Sequence, residues 1–375
     1  MKILFVLGAR SELGYIRPVY EEAEKRGHSV SIWSCNTASL AGFGDVAQEA
    51  KKAGLNVSQI IMTSFDGYSH IAMAKSVGAV TQSFADFLGN EDFDWVVLSG
   101  DRAEQLGAAI ASSYMYVPTA HIQAGERSGN IDGLARHAIA RLAHLHFAAN
   151  EDAKNRLLKS GEEDWRVIMS GAPQLDGLVE SASARAQLEE ERLIPPSDFV
   201  LAIFHPETAQ LPLEVTLLER LVSHLAGLAK PVVWIAPNND AGSSKVRAVI
   251  TESLRPMDSF HENVSRPDFA GILANCEYLV GNSSAGIIEA PSFLKPAINV
   301  GGRQDSRFQG RNVINVDGEN GDFASAFQRA SNLKKDLLQG QHDYPYGRGN
   351  SSRLIVDSLE AIRSQPNLLV KQLSY

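Results

Sequence analysis

The sequence predicts an α/β protein made of two Rossmann-like domains facing each other across a cleft. Three observations carry this expectation. Short, continuous apolar runs, such as residues 3–7 and 95–98, alternate with helix-length segments. Such runs are how buried parallel strands read, and strand–helix alternation means βαβ units. The alternation then restarts after Gly171. Finally, glycines and polar residues gather in the turns just after the strands, where open α/β sheets bind ligands.

The first strand is Ile3-Leu4-Phe5-Val6-Leu7, ending at Gly8. A helix is expected over about 15–26, stopped by Gly27, followed by a strand over 29–33. A helix over about 69–88 leads to the strand 95–98, which ends at Ser99-Gly100-Asp101. Another helix runs to Tyr114 and a strand occupies 119–122. His144 and His146, beside Leu145 and Phe147, read as histidines packed by a strand. In the second half, strands are expected at 199–204, 231–236, 278–280 and 297–300, and a helix at 351–363. Residues 181–197 are polar and charged, and Pro195-Pro196 breaks regular structure there. The domains are therefore expected at 1–178 and 198–350, with the helix of 351–375 packing back on the first.

The 375 residues suit two domains of ordinary size, and a hydrophobic content of 44% supplies their cores. A net charge of −9 argues against a general nucleic-acid or anionic-membrane binder. Helix N-termini and a few arginines still suffice for a diphosphate. Cys35 and Cys276 are far apart, show no zinc-like spacing, and read as small buried apolar residues. The chain begins directly with strand-like sequence, without the features of a signal peptide, and no apolar run approaches the ~20 residues of a membrane span. A soluble cytoplasmic protein is expected, with no nucleic-acid or membrane partner and no metal.

Chemistry is concentrated in the turns. Gly8-Ala9-Arg10-Ser11-Glu12 opens a helix with backbone amides and one arginine, which suits a diphosphate, although a surface arginine in an ordinary turn reads equally simply. It is not GxGxxG, so the dinucleotide fingerprint is absent. In Gly281-Asn282-Ser283-Ser284-Ala285-Gly286-Ile287-Ile288-Glu289, small residues allow a phosphate close to a helix start, the serines add hydroxyls, and Glu289 can accept from a ribose diol. The alternative is that Asn282 or Ser283 is an N-cap and Glu289 a solvated helix residue. Asp101, Glu126 and Asp132 follow neighbouring strand ends, and crowded carboxylates can supply both the base and the acid that proton transfer needs. Asp132 is as readily an N-cap as a catalytic group, and Asp101 can also cap. His205, after the first strand of the second half, faces the cleft as a phosphate donor or acid, or is structural.

Over residues 1 to about 352 the chain resembles the UDP-N-acetylglucosamine 2-epimerase family, and within it the hydrolysing, sialic-acid-pathway branch. The stretches that carry this are Gly100-Asp101-Arg102-Ala103-Glu104, His121-Ile122-Gln123-Ala124-Gly125-Glu126, Ser128-Gly129-Asn130-Ile131-Asp132, Arg136-His137-Ala138-Ile139, His144-Leu145-His146-Phe147, Gly171-Ala172-Pro173-Gln174-Leu175-Asp176, Pro237-Asn238-Asn239-Asp240-Ala241-Gly242-Ser243 and residues 281–293, with Gly302-Arg303-Gln304 and Gly310-Arg311 behind. The resemblance implies a fold similar to GT-B glycosyltransferases. It implies removal of the C2 proton, anti elimination of UDP to a glycal, and water addition with C2 inverted, giving UDP and a free amino sugar. It implies no metal or redox cofactor, a small-molecule nucleotide sugar as partner, and a homo-oligomer, dimer or tetramer, is the expected assembly. By resemblance the catalytic carboxylates are Asp101 and Asp132, the second-domain histidine is His205, the ribose-binding glutamate is Glu289, and the phosphate-binding residues are Ser283 and Ser284 with Gly286 in the same turn. Arg10 matches the first-turn arginine.

Two positions depart from the family pattern: Gln123 stands where an acid follows His-Ile, and Gly133 where a second acid often follows Ile-Asp. Glutamine is no proton acceptor at neutral pH. Either Glu126 takes over as base, or the base lies elsewhere, or the substrate differs, diamino sugars included. Gln123, Arg136 and His137 are then expected to position substrate. The competing readings are a GT-B glycosyltransferase, a non-hydrolysing 2-epimerase and a non-catalytic nucleotide-sugar sensor.

Overall fold

A computed structural model describes residues 1–39, 45–65, 70–127, 131–206, 211–237, 242–317, 321–372 and 374. It divides into two compact units: residues 1–176 with 346–375, and residues 177–345.

In unit 1 the strands are β1 (Lys2–Leu7), β2 (Ser29–Cys35), β3 (Val57–Ile61), β4 (Trp95–Ser99), β5 (Thr119–Ile122), β6 (Leu145–Ala148) and β7 (Val167–Met169). The helices are α1 (Arg10–Lys25), α2 (Val46–Lys52), α3 (His70–Leu88), α4 (Ala103–Tyr114), α5 (Ile131–Leu142) and α6 (Glu151–Lys159). The strands form one parallel sheet in the order β3-β2-β1-β4-β5-β6-β7. Residues on β1 alternate between faces as a strand dictates. Ile3, Phe5 and Leu7 join Ile16, Val19 and Tyr20 of α1, whereas Leu4 and Val6 join Val80 and Phe84 of α3. Both sides of the sheet are thus covered, which is why the central strands read as continuous apolar runs.

Unit 2 contains α7 (Arg185–Glu190), β8 (Val200–Ile203), α8 (Leu211–Ala226), β9 (Val232–Ile235), α9 (Ser243–Glu252), β10 (Ser259–His261), α10 (Arg266–Asn275), β11 (Leu279–Gly281), α11 (Ala285–Ile288), β12 (Ala297–Val300), β13 (Val313–Val316) and α12 (Phe323–Leu338). Its parallel sheet has the order β10-β9-β8-β11-β12-β13. In both units the strand order reverses beside the first strand, between β1 and β4 and between β8 and β11. That reversal is the doubly wound pattern, which opens a crevice at the carboxyl ends of those two strands.

After unit 2 the chain returns to unit 1 as α13 (Ser351–Ile362), which packs on α1. Ile355, Val356 and Leu359 enter the core, and the Trp95 indole donates to the Leu359 carbonyl at 3.1 Å. Residues 181–197, read from sequence as a boundary, belong to unit 2: they include α7, and Leu188 and Ile194 are buried in its core. Burial of those two side chains ties the segment to unit 2 despite the polar residues around them. Four strands escape the sequence reading, β3, β7, β10 and β13. All are at sheet edges, where alternation with half-exposed residues breaks the apolar run, as in the wholly half-buried β10. Helix α1 starts at Arg10, earlier than the apolar pattern shows, because Glu12 caps its first turn. Cys35 and Cys276 are buried free thiols, and burial pushes the Cys276 thiol up to about 12. Among the described residues no helix is long and apolar enough to cross a membrane, and no group of His, Cys, Asp or Glu comes together that could hold a metal ion.

The return helix is therefore part of the unit 1 core. Leu359→Ala should destabilise unit 1 by ~2–5 kcal/mol, the cost of a large-to-small change in a packed core. Urea denaturation followed by tryptophan fluorescence would measure it, and a wild-type midpoint would mean that α13 is dispensable.

Candidate active site

The crevice of unit 1 is built by side chains that tie β1 to β4. Gln105 donates to the Val6 carbonyl at 3.1 Å and accepts from the Ser99 amide at 3.2 Å. The amides of Gly8 and Ala9, expected from sequence to serve a diphosphate, are already engaged. Both donate to the Glu12 carboxylate oxygen, at 2.6 and 3.1 Å. Burial, with the nearby charge of Glu104, pushes the Glu12 carboxyl up to about 8. Glu104 is itself buried and accepts from the Asn36 amide at 2.5 Å and Arg102 Nε at 3.2 Å. A Cβ on Gly8 would lie 2.8 Å from Glu104 Cγ, so only glycine lets the first turn pass the acid. Arg10 is exposed and pairs with Glu49 at 3.3 Å. The first turn of unit 1 is thus a carboxyl cap, with its Gly8 and Ala9 amides already taken.

The acid–base cluster is organised by Arg136 on α5, of which 3% of the side chain is exposed. It donates to Asp101, at the end of β4, and to the carbonyl of Gln123 at 2.7 Å, and it lies 3.9 Å from Glu126. Gln123 is held at φ +57°, a left-handed conformation that an ordinary side chain seldom adopts, and its amide donates to Gln174 at 3.2 Å. Glu126 accepts from Asn150 at 3.1 Å, and Asn150 also caps α6 by accepting from the Ala153 amide. His121 on β5 meets the Gly100 carbonyl at 2.7 Å. Burial pushes this imidazole down to about 3, so it is neutral and Nε2 carries the proton. It fixes the left-handed Gly100 turn that delivers Asp101.

Asp101 is not a helix cap: Arg102 occupies that position on α4. Its carboxylate is 21% exposed, whereas that of Glu126 is 2% exposed. Asp132 falls within the first turn of α5, past the cap position, and its side chain lies outside the described residues. His137, adjacent to Arg136, is exposed on α5.

In unit 2 the crevice lies between β8 and β11. Gly281 sits at φ +133°, and a Cβ there would meet the Ile203 carbonyl at 1.9 Å, so glycine is obligatory where the two strands diverge. Asn282 then clamps His205 at both backbone groups, accepting from its amide at 2.7 Å and donating to its carbonyl at 2.8 Å. The Asn282 carbonyl accepts from Arg303 and Gln304, at 3.1 and 3.0 Å. Burial, with Arg303 nearby, pushes His205 down to about 3. In this state the imidazole is neutral and can donate or accept a hydrogen bond. Ser283 and Ser284 are half-buried at the start of the short α11, and Ser283 Oγ accepts from the Ala285 amide at 3.4 Å. Gly286 serves packing: a Cβ would lie 3.0 Å from Ala297 Cβ on β12. Glu289 is neither solvated nor alone, since Arg266 donates to it at 2.8 Å.

Sequence reasoning missed Glu12, Asn150, Gln174 and Arg266. Glu12 and Gln174 sit inside stretches that were singled out, but nothing in a one-dimensional pattern says that their polar atoms are spent inward. Asn150 and Arg266 meet their acids only through the fold.

With this geometry in place, comparison with known proteins is informative. The family model described as UDP-N-acetylglucosamine 2-epimerase matches residues 24–360. The chain belongs to the UDP-N-acetylglucosamine 2-epimerase family. It is 31% identical over 380 aligned positions, covering 100% of this chain and 99% of the relative, to a Legionella pneumophila protein named UDP-N,N'-diacetylbacillosamine 2-epimerase (hydrolyzing). Among solved structures it resembles a Neisseria meningitidis UDP-GlcNAc 2-epimerase bound to UDP-GlcNAc, with a TM-score of 0.73, 20% identity and coverage of 96% and 100% of the two chains. It also resembles S. aureus MnaA in complex with UDP, with a TM-score of 0.76, 19% identity and coverage of 100% and 99%. These likenesses establish the GT-B-like two-domain α/β fold.

The buried Glu12 carboxyl has a measurable consequence. Its folded-state value, about 8, exceeds the ordinary 4.5, so its contribution to stability is full below about pH 4.5 and is lost as pH rises through 8. Glu12→Gln should therefore gain stability relative to wild type at pH 9 compared with pH 5. Urea midpoints at the two pH values test this, and an identical difference at both would mean that Glu12 is ionised in the folded protein.

Proposed function

We propose that this chain is a hydrolysing nucleotide-sugar 2-epimerase. It takes a UDP-linked 2-acetamido sugar, UDP-N-acetylglucosamine or a diacetamido relative, to UDP and the free C2-inverted amino sugar. The observation that carries the reading is the Arg136 cluster, in which one buried guanidinium holds Asp101, the Gln123 carbonyl and Glu126 at the crevice of unit 1. The full-length similarity to the Legionella pneumophila hydrolysing enzyme supports the reaction type, and the UDP-GlcNAc and UDP bound to the Neisseria and S. aureus proteins support the ligand class.

In this reading a carboxylate takes the C2 proton while the C1–O bond breaks. The electron pair leaves with UDP, and a C1–C2 double bond forms. Water then adds its oxygen to C1 and a proton returns to C2 from the opposite face. Asp101 is the favoured base, because its side chain is partly exposed beside Arg136, whereas Glu126 is enclosed. Glu126 and Asn150 hold Arg136, Gln123 orients the acetamido group, and Asp132 is the acid for the returning proton. UDP binds to unit 2. Neutral His205 gives one N–H to a phosphate oxygen, Ser283 and Ser284 give hydroxyls, and Glu289 shares its carboxylate between Arg266 and the ribose diol.

The decisive experiment incubates the protein with UDP-N-acetylglucosamine and with UDP-N,N'-diacetylbacillosamine in deuterated water under NMR. The expected outcome is free amino sugar carrying deuterium at C2, with UDP released. An inverted sugar still attached to UDP would make the enzyme non-hydrolysing, and movement of sugar only to an acceptor would make it a transferase. Asp101→Asn should lower C2 exchange by ~10²–10⁴-fold, the usual cost of a lost acid–base group, while leaving UDP affinity near wild type. Glu126→Gln should also impair exchange, through Arg136. Gln123→Glu should be tolerated. If Asp101→Asn exchanges C2 at the wild-type rate, the base is another residue.

Glu289→Ala should weaken UDP binding by ~1–3 kcal/mol, the range for hydrogen bonds to a charged group. Calorimetry that returns unchanged affinity would remove Glu289 from the nucleotide site.

A further inference from the structure

The segment that follows α13 is bound to unit 1 by buried charges that the reaction does not use. Arg166, just before β7, is fully buried and donates to the carbonyls of Asn367 and Leu368 at 2.8 and 2.9 Å and to that of His144 at 3.0 Å. Three residues beyond Leu368, the Lys371 ammonium is inserted beside α5, with 11% of its side chain exposed. It donates to the carbonyls of Ala140 and Ala143 at 2.6 and 2.8 Å, with Arg141 O at 3.3 Å, and pairs with Glu162 at 2.7 Å. Its nitrogen also lies 3.3 Å from His146 Nε2. Ser374 closes the segment, its amide donating to the Gly161 carbonyl at 2.8 Å.

The carbonyls that Lys371 reaches are at the C-terminal end of α5. The last carbonyls of a helix have no partner within it, and a cation there also complements the helix dipole. Ala140 is four residues after Arg136, about 6 Å along the helix axis. The other contact leads to the same place. His146 on β6 is the register neighbour of His121 on β5, and His121 holds the Gly100 carbonyl ahead of Asp101. The ammonium therefore touches both structures that set the acid–base cluster, the helix carrying Arg136 and the strand beside His121.

We propose that the segment after α13 is a strap and that Lys371 is a positioning residue for the active site, capping α5 so that Arg136 stays in register with Asp101 and Glu126. The proposal rests on the function assigned above to those residues, but the strap itself can be observed without turnover. The groups facing the ammonium are Glu162 after α6, Arg141 on α5, His144 and His146 at β6, and Arg166 with its partner Glu163 before β7. Burial pushes the ammonium down to about 8, against the pull of Glu162. Below that pH the cap carries its charge, and above it the cap loses the ion pair with Glu162 and the complement to the helix dipole.

The test uses the full chain and two variants, Lys371→Met and Lys371→Arg. Hydrogen exchange is measured on α5 amides, and kcat and KM are measured from pH 6 to 10 on the UDP-sugar that wild type turns over. Lys371→Met should speed exchange in α5 and lower kcat ~10-fold or more, as small misplacements of catalytic groups do, with KM nearly unchanged. Lys371→Arg should restore most of kcat, and the loss of kcat that wild type shows above pH 8 should move to higher pH. Wild-type exchange and wild-type kcat in Lys371→Met would overturn the proposal. So would an alkaline limb in Lys371→Arg that coincides with that of wild type, a result that stands even if the methionine variant fails to fold. If wild type itself shows no C2 exchange with either sugar, the assigned reaction fails, and the strap is judged on α5 exchange alone.

Discussion

One buried cation organises unit 1. Arg136 carries a charge into the interior, and an unpaired charge there would cost several kcal/mol, so its partners must stay close. Asp101 and the Gln123 carbonyl are bound directly and Glu126 is within 4 Å. These three arrive from two strand ends, β4 and β5, and the arginine from α5. Any shift of one element leaves a buried charge exposed to nothing. The cluster is therefore held in place by the need to keep that buried charge paired.

The strand order then decides what each crevice can hold. In unit 1 the first turn is filled by Glu12, whose carboxyl takes the Gly8 and Ala9 amides, with Glu104 beside it. That crevice is lined by acids and suits proton transfer. In unit 2 the turn after β11, the counterpart of the Gly100-Asp101 turn after β4, has Gly281 and Asn282, and the side chain of Asn282 is spent on the backbone of His205. No carboxylate caps that turn, and Arg303 stands next to it. Two units with one topology thus offer opposite electrostatic surroundings, and that contrast supports assigning acid–base work to the first and the nucleotide to the second.

Much of the fold was legible in the sequence, and the reason is specific. Strands β1, β4, β8 and β11 are covered on both faces, so the interior of each is an unbroken apolar run bounded by glycine or a polar turn. The edge strands β3, β7, β10 and β13 lack that burial and lose the signal. Site turns were legible for a related reason: the ends of central strands are where glycine and polar residues must fall. The roles of the residues in those turns were less legible. Glu289 and Asp101 both read as acids with open oxygens, yet each faces an arginine from an element distant in sequence, Arg266 and Arg136. His205 reads as an acid or phosphate donor, and only the fold shows that burial beside Arg303 leaves its imidazole neutral.

By itself, the sequence determined the alternation of strands and helices, the two-unit architecture and the positions of the glycine-rich turns after the strands, because periodicity and glycine placement are local properties of a chain. Only the tertiary structure decided which arginine each acid meets and that Lys371 meets the last carbonyls of α5. Each of these depends on two groups distant along the chain meeting within ~3 Å, where burial raises both the strength of their interaction and the cost of leaving them unpaired. That distance dependence is a property of the folded packing, and no local pattern carries it.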